Sequence, residues 1–151
     1  MLDAVQKLKL FIQDRPWETE PDNAEWDDEF TGYKCRIWRH PTHLTLNGYV
    51  GVPPSHMCYG MGYEDVSNLV DVHGGLTYGD KVDGLKWFGF DTNHAGDFSP
   101  GMFIALIGAR GDLPLPMIDE TYRTWEYVEQ EVTDLALQLH REDKLLMRAS
   151  S

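Results

Sequence analysis

Four side chains between residues 73 and 97 have the types and spacing to do chemistry: His73, Asp91, His94 and Asp97. Imidazole nitrogens and carboxylate oxygens are ligands for zinc, manganese or iron, and carboxylates also suit magnesium. The Asp91-x-x-His94-x-x-Asp97 spacing converges if its loop coils. The same residue types suit acid–base work, in which a carboxylate orients a histidine that titrates near neutral pH. There the catalytic candidates are His73, His94 and Asp97. Around them lie His56, Tyr59, Asp71, Tyr78 and Trp87, which with His73 and His94 make a candidate ligand-binding set. Trp87, Tyr59 and Tyr78 offer rings for stacking. The histidines and the amides of Gly-rich turns suit anionic groups, as in a nucleotide-like ligand.

Each of these residues also has a structural role open to it. Asp91 and Asp97 can cap turns, His94 can satisfy carbonyls, and the glycines can supply positive φ. His56 and Cys58 lack the second half of a soft-metal motif, and their loop reads as a lid beside the site. His40-x-x-His43 in a turn reads as solvated histidines. The chain has no Gly-Lys-Ser/Thr, no Gly-x-Gly-x-x-Gly and no Gly-x-Ser-x-Gly. P-loop chemistry, a Rossmann cofactor and serine hydrolysis are disfavoured accordingly.

The elements that must position these residues follow from periodicity. Residues 2–13 read as a short helix and residues 14–29 as an acidic loop pinned by Trp17 and Trp26. Residues 32–39 and 44–52 alternate as two strands of a hairpin, with Gly48 and Gly51 marking a bulge or a close backbone approach. A helical turn is expected at 63–68. A third strand is expected at 69–73 and a fourth at 85–91, with 77–84 turn-rich. Met102 to Ile107 fits a buried strand or a short helix. Residues 120–140 carry apolar residues at helical spacing, with Asp119 as N-cap.

Strands in the middle and helices at the ends predict an α+β domain: an antiparallel sheet of four to five strands, a long C-terminal helix on one face and a short N-terminal helix. One domain spans 1–151, in segments 1–30, 31–118 and 119–147. If strands 69–73 and 85–91 pair, alternation puts Asp71, His73, Trp87 and Asp91 on one open face.

The formal net charge is −12. That balance disfavours nucleic acid and anionic membranes as partners and leaves cations or a basic protein. Cys35 and Cys58 are too few for a disulfide framework and are expected to be reduced and buried. No apolar run approaches about 18 residues, and the first residues do not resemble a signal peptide. A cytoplasmic protein is expected, with homo-oligomerisation open.

The order Gly48-Tyr49-Val50-Gly51-Val52-Pro53, Val72-His73-Gly74-Gly75-Leu76-Thr77-Tyr78, Trp87-Phe88-Gly89-Phe90-Asp91 with His94-Ala95-Gly96-Asp97, and Tyr122 with Tyr127-Val128 and Glu131 resembles a group of small proteins encoded by tailed phages and prophages. The resemblance covers about residues 48–139. It implies a bacterial host cytoplasm and no particular activity. The sequence favours a binder of a small polar ligand, with two alternatives: a small metal-dependent hydrolase of phosphoesterase type, and an acidic protein that binds or inhibits a basic host factor.

Overall fold

The structure is a computed structural model that describes Asp3, Gln6, residues 14–111, Met117 and residues 119–150. Its centre is a five-stranded antiparallel sheet in the order β1-β2-β3-β5-β4. The strands are β1 (Asn23–Asp27), β2 (Lys34–Arg39), β3 (Leu46–Val52), β4 (Tyr78–Val82) and β5 (Leu85–Asp91). Among the described residues four helices accompany it: α1 (Pro16–Thr19), α2 (Tyr63–Ser67), α3 (Pro100–Arg110) and α4 (Trp125–Ser150). The architecture is the expected α+β, with a short helix near the N-terminus. The helix expected over 2–13 lies outside the described residues.

Alternation along the strands sorts the sheet into two faces. Cys35 and Ile37, Leu46, Val50 and Val52, and Phe88 and Phe90 point to the core and are buried. Helix α4 covers that face with Val128, Val132, Leu135, Ala136 and Leu139, all fully buried. Their helical spacing produces one apolar stripe, which is why the helix docks along it. Gly48 is where the two layers come closest. A Cβ there would sit 2.6 Å from the Phe90 ring and 2.6 Å from Val132. The register through Gly48 and Gly51 is unbroken, so these glycines mark close approach and no bulge.

Three expectations are corrected. Residues 69–73 form no strand; the partner of β5 at that edge is Tyr78–Val82, within the segment expected to be turn-rich. Val70 and Val72 reach the core from a loop, so their alternation mimicked a strand. Residues 14–29 are not all loop, because β1 forms the far edge of the sheet. There Trp26 packs partly buried against the core, and acids on the solvent side masked a short edge strand. The C-terminal helix starts at Trp125 rather than 120. Thr124 caps it, accepting from the N–H of Tyr127 at 3.2 Å, so Asp119 has no such role.

A second apolar cluster joins Trp17, Phe98, Phe103, Met117 and Tyr122, where α3 and α1 meet the chain leading into α4. Met102–Ile107 therefore takes the helical of its two options. Beside it, Arg39 is buried on the core side of β2. It donates to Asp22, Glu20, Tyr122 and the Leu44 and Pro21 carbonyls. Glu20, itself mostly buried, thus serves as an internal counter-charge and the exposed Asp22 adds a second, as a buried guanidinium requires. Cys35 and Cys58 are free and buried, and burial pushes their thiols up to about 12 and about 11. Such thiols are inert. Among the described residues no helix is long and apolar enough to cross a membrane.

Candidate functional site

Three of the four residues singled out for chemistry form one cluster, brought together by turns rather than by strand pairing, and the fourth, Asp91, touches it only at His94. His73 lies in the turn that closes with the Gly75 N–H on the Val72 carbonyl, 2.9 Å. His94 and Asp97 lie in the turn after β5, where the Asp97 N–H meets the His94 carbonyl at 2.9 Å. Gly74 and Gly96 hold φ of +68° and +90°, a region side chains rarely adopt. Gly74 has a second reason to lack a side chain. Its Cβ would fall 2.5 Å from Cε1 of His94, so the glycine makes room for that ring. One ligand atom from each of His73, His94 and Asp97 lies within 4.8 Å of the others.

Asp97 is the anchor, with a side chain only 1% exposed. It accepts from His73 Nε2 at 2.8 Å, from Arg123 Nε at 2.9 Å and from the His94 N–H at 3.1 Å. Burial pushes its carboxyl up, but the His73, Arg123 and His94 hydrogen bonds outweigh this and hold it below its ordinary value. The other nitrogen of His73 faces the Tyr127 hydroxyl at 2.8 Å. Burial raises the Tyr127 pKa, with Glu131 adding to it, so the phenol keeps its proton. The assignment that satisfies every atom has His73 Nε2–H donating to Asp97 and Tyr127 O–H donating to His73 Nδ1. Glu131 completes the frame by accepting the His73 N–H at 2.8 Å.

His94 is less committed. Its Nδ1 is buried, 3.1 Å from Asp91 Oδ1 and 4.0 Å from Asp97 Oδ2, yet it makes no aligned hydrogen bond. Asp91 accepts from Thr77 Oγ and from the Asn93 N–H. A cleft of about 300 Å³ opens beside this group, lined by His43, Asn93, His94, Asp97, Ser99 and Glu120 among others. Glu120 Oε1 is also buried without a hydrogen bond. Its carboxyl is raised by burial and then by the neighbouring Asp97.

The remaining predicted site residues lie elsewhere. Asp71 is exposed and exchanges backbone hydrogen bonds with the Gln138 side chain, so it does not face Asp91. His56 is no lid residue. It is 4% exposed and binds the Leu139 carbonyl at 2.9 Å. Lys81 covers the Tyr59 ring at 4.6 Å. Trp87 and Tyr78 do face away from the core, but on the open side of the sheet, apart from the histidines. His40 caps its own turn, its Nδ1 accepting from the N–H groups of Thr42 and His43.

Arg123, Tyr127, Glu131 and Glu120 were given no functional role by the sequence reading. Tyr127 and Glu131 have a visible signal, polar residues at four-residue spacing on one face of α4, whereas Arg123 lies before the Thr124 cap and has none. Glu120 had none, because its position depends on a loop path that periodicity does not encode.

No family model, no curated protein and no solved structure matches this chain.

Proposed function

We propose that the chain is a small metal-dependent hydrolase whose transition metal is held by His73, His94 and Asp97. The observation that carries this reading is the convergence of two imidazoles and one carboxylate within 4.8 Å, with the buried Nδ1 of His94 left without a hydrogen bond. The surroundings support it. Tyr127 on the far nitrogen of His73 and Arg123 on Asp97 Oδ1 are the outer contacts that orient metal ligands. With a metal bound, His73 would carry its proton on Nδ1 and donate it to the Tyr127 oxygen, which frees Nε2 to serve as a ligand beside Asp97 and His94. Zinc or manganese suits two nitrogens and one oxygen, and three protein ligands leave a position for water.

The metal supplies Lewis acidity toward water and an ester or phosphoester. The chain supplies the rest. Asp97 fixes the His73 ring, Gly74 admits the His94 ring, and Glu120 in the adjoining cleft is placed to exchange a proton. A phage-type protein of the bacterial cytoplasm remains the setting we propose for it.

Elemental analysis of the purified protein, after incubation with zinc or manganese and gel filtration, tests the reading. About one metal per chain is expected, lost in His94→Ala and in Asp97→Ala. Metal-dependent cleavage of p-nitrophenyl phosphate or acetate should be lost with it. A wild-type chain that retains neither metal, with a melting temperature indifferent to both, overturns the proposal.

A further inference from the structure

The open face of the sheet carries a second cleft, of about 360 Å³, built by strands alone. Arg36 and Trp38 come from β2, Tyr49 from β3, Trp87 from β5, and Tyr78 and Val82 from β4. Its floor is made flat by two glycines. In the strand register Gly51 pairs with Trp87 and Gly89 with Tyr49. A Cβ on Gly51 would lie 3.0 Å from the Trp87 indole, and one on Gly89 would lie 2.5 Å from the Tyr49 ring. Each ring therefore lies down across the glycine of the neighbouring strand. Tyr78 stands edge-on to Tyr49 at 5.6 Å, 87° between planes. Rings laid flat on a sheet face that no helix among the described residues covers contribute nothing to the core on the other side.

Charge restricts what such a platform accepts. The same face presents Glu25 and Asp27 from β1, Asp80 from β4 and Asp91 from β5, against Lys34 and Arg36 from β2. Four carboxylates against two cations, on a chain of net charge −12, repel a phosphate or a nucleic-acid strand. Arg36 within the lining repels a simple cation. What remains is a neutral ligand with an apolar ring face and an edge that both donates and accepts. Arg36 and Asn47 supply donors around the floor, and Glu25, Asp80 and Asp91 supply acceptors. A hydroxyl group meets both kinds with a single atom, and a ring bearing several of them meets both around its whole edge.

We propose that the aromatic platform of Trp38, Tyr49 and Trp87 binds a neutral saccharide, its pyranose faces stacked on the rings and its hydroxyls held by Arg36 and the flanking acids. The cleft volume lies in the range of small-molecule sites. The platform is independent of the metal-ligating cluster, although Asp91 closes the row beside His94.

Titration of the full chain with cellohexaose, maltohexaose and chitohexaose, followed by tryptophan fluorescence and calorimetry, tests this. Saturable binding of at least one, with a dissociation constant of millimolar or below, is expected. Trp87→Ala and Trp38→Ala should each weaken it by about tenfold or more. Trp87→Phe keeps a ring over Gly51 and should retain most of it, which separates loss of the platform from loss of the fold. Gly60→Ala, where nothing lies within 4 Å of the added Cβ, should bind as wild type. No binding of any of the three at millimolar concentration, binding undiminished in both alanine variants, or preference for adenosine or AMP over all three overturns the proposal.

Discussion

His73 and Asp97 stand 24 positions apart and meet through a 2.8 Å contact between Nε2 and a carboxylate oxygen that is almost completely shielded from water. That carboxylate is the common acceptor for His73, for Arg123 and for the His94 N–H. Replacing it by an amide reverses one of its two ends. In Asp97→Asn the oxygen can still accept, but the NH₂ group faces donors. The expected cost is about 3 kcal/mol, the scale for breaking a buried pair and leaving its partners unsatisfied. Asp91→Asn, at a half-exposed site, should cost under about 1 kcal/mol. Urea unfolding of both variants checks the ranking, and equal costs would show that Asp97 is not the anchor.

Tyr127→Phe deletes one hydroxyl and leaves the ring, over which Arg123 lies at 5.0 Å. His73 Nδ1 loses its hydrogen-bond partner and the ring loses the contact that fixes its orientation. Stability should fall by about 1 kcal/mol, the usual value of one hydrogen bond. If the metal reading holds, metal affinity should fall by about 10- to 100-fold, as outer-contact changes do. Competition with a chelator of known affinity measures the second effect separately from the first.

The sequence located the cluster but for a reason that does not hold. Polar density between residues 73 and 97 was real, and the parity of β5 placed Trp87 and Asp91 opposite Phe88 and Phe90 correctly. The pairing that was to join Asp71 and His73 to Asp91 does not exist, because Val70 and Val72 alternate in a loop. What joins His73 to His94 and Asp97 is a pair of turns with glycines at positive φ. Turn geometry of that kind depends on where the flanking elements already lie, so spacing alone does not reveal it. The sheet, its β2–β3 hairpin and α4 were legible because each carries a long, unbroken period. β1 was not, because an edge strand with one solvated face shows acids where a pattern reader expects a loop.

Gly48 offers a test of the layer spacing itself. Gly48→Ala places a methyl group within 2.6 Å of both Phe90 and Val132. Neither can withdraw, since Phe90 on β5 and Val132 on α4 are both buried between the sheet and that helix. Overpacking at such a site costs typically about 1–3 kcal/mol, and the upper half of that range is expected here. Gly60→Ala is the control, because nothing lies within 4 Å of its Cβ position. Differential scanning calorimetry should show a large fall in melting temperature for the first and almost none for the second.

His56 predicts an acid-sensitive core. Its Nε2–H donates to the Leu139 carbonyl and its Nδ1 accepts the Cys58 N–H, both at 2.9 Å. Only the neutral ring can do both. Burial is the main reason its pKa lies below the ordinary 6.5. The Leu139 hydrogen bond and Asp143 pull it back up, and His140 pushes it further down. Tyr33 packs against the ring at 5.6 Å. With the folded pKa depressed, the unfolded chain binds the proton more readily. The contribution of His56 to stability is therefore complete above about pH 6.5 and is lost as pH falls from there through the lower folded value. His56→Gln should be less stable at neutral pH, through loss of the ring's packing and hydrogen bonds, yet its stability should fall less steeply as pH is lowered from 6.5. Urea midpoints measured along that descent give the two slopes. Parallel slopes for wild type and variant would mean that another group carries the acid sensitivity.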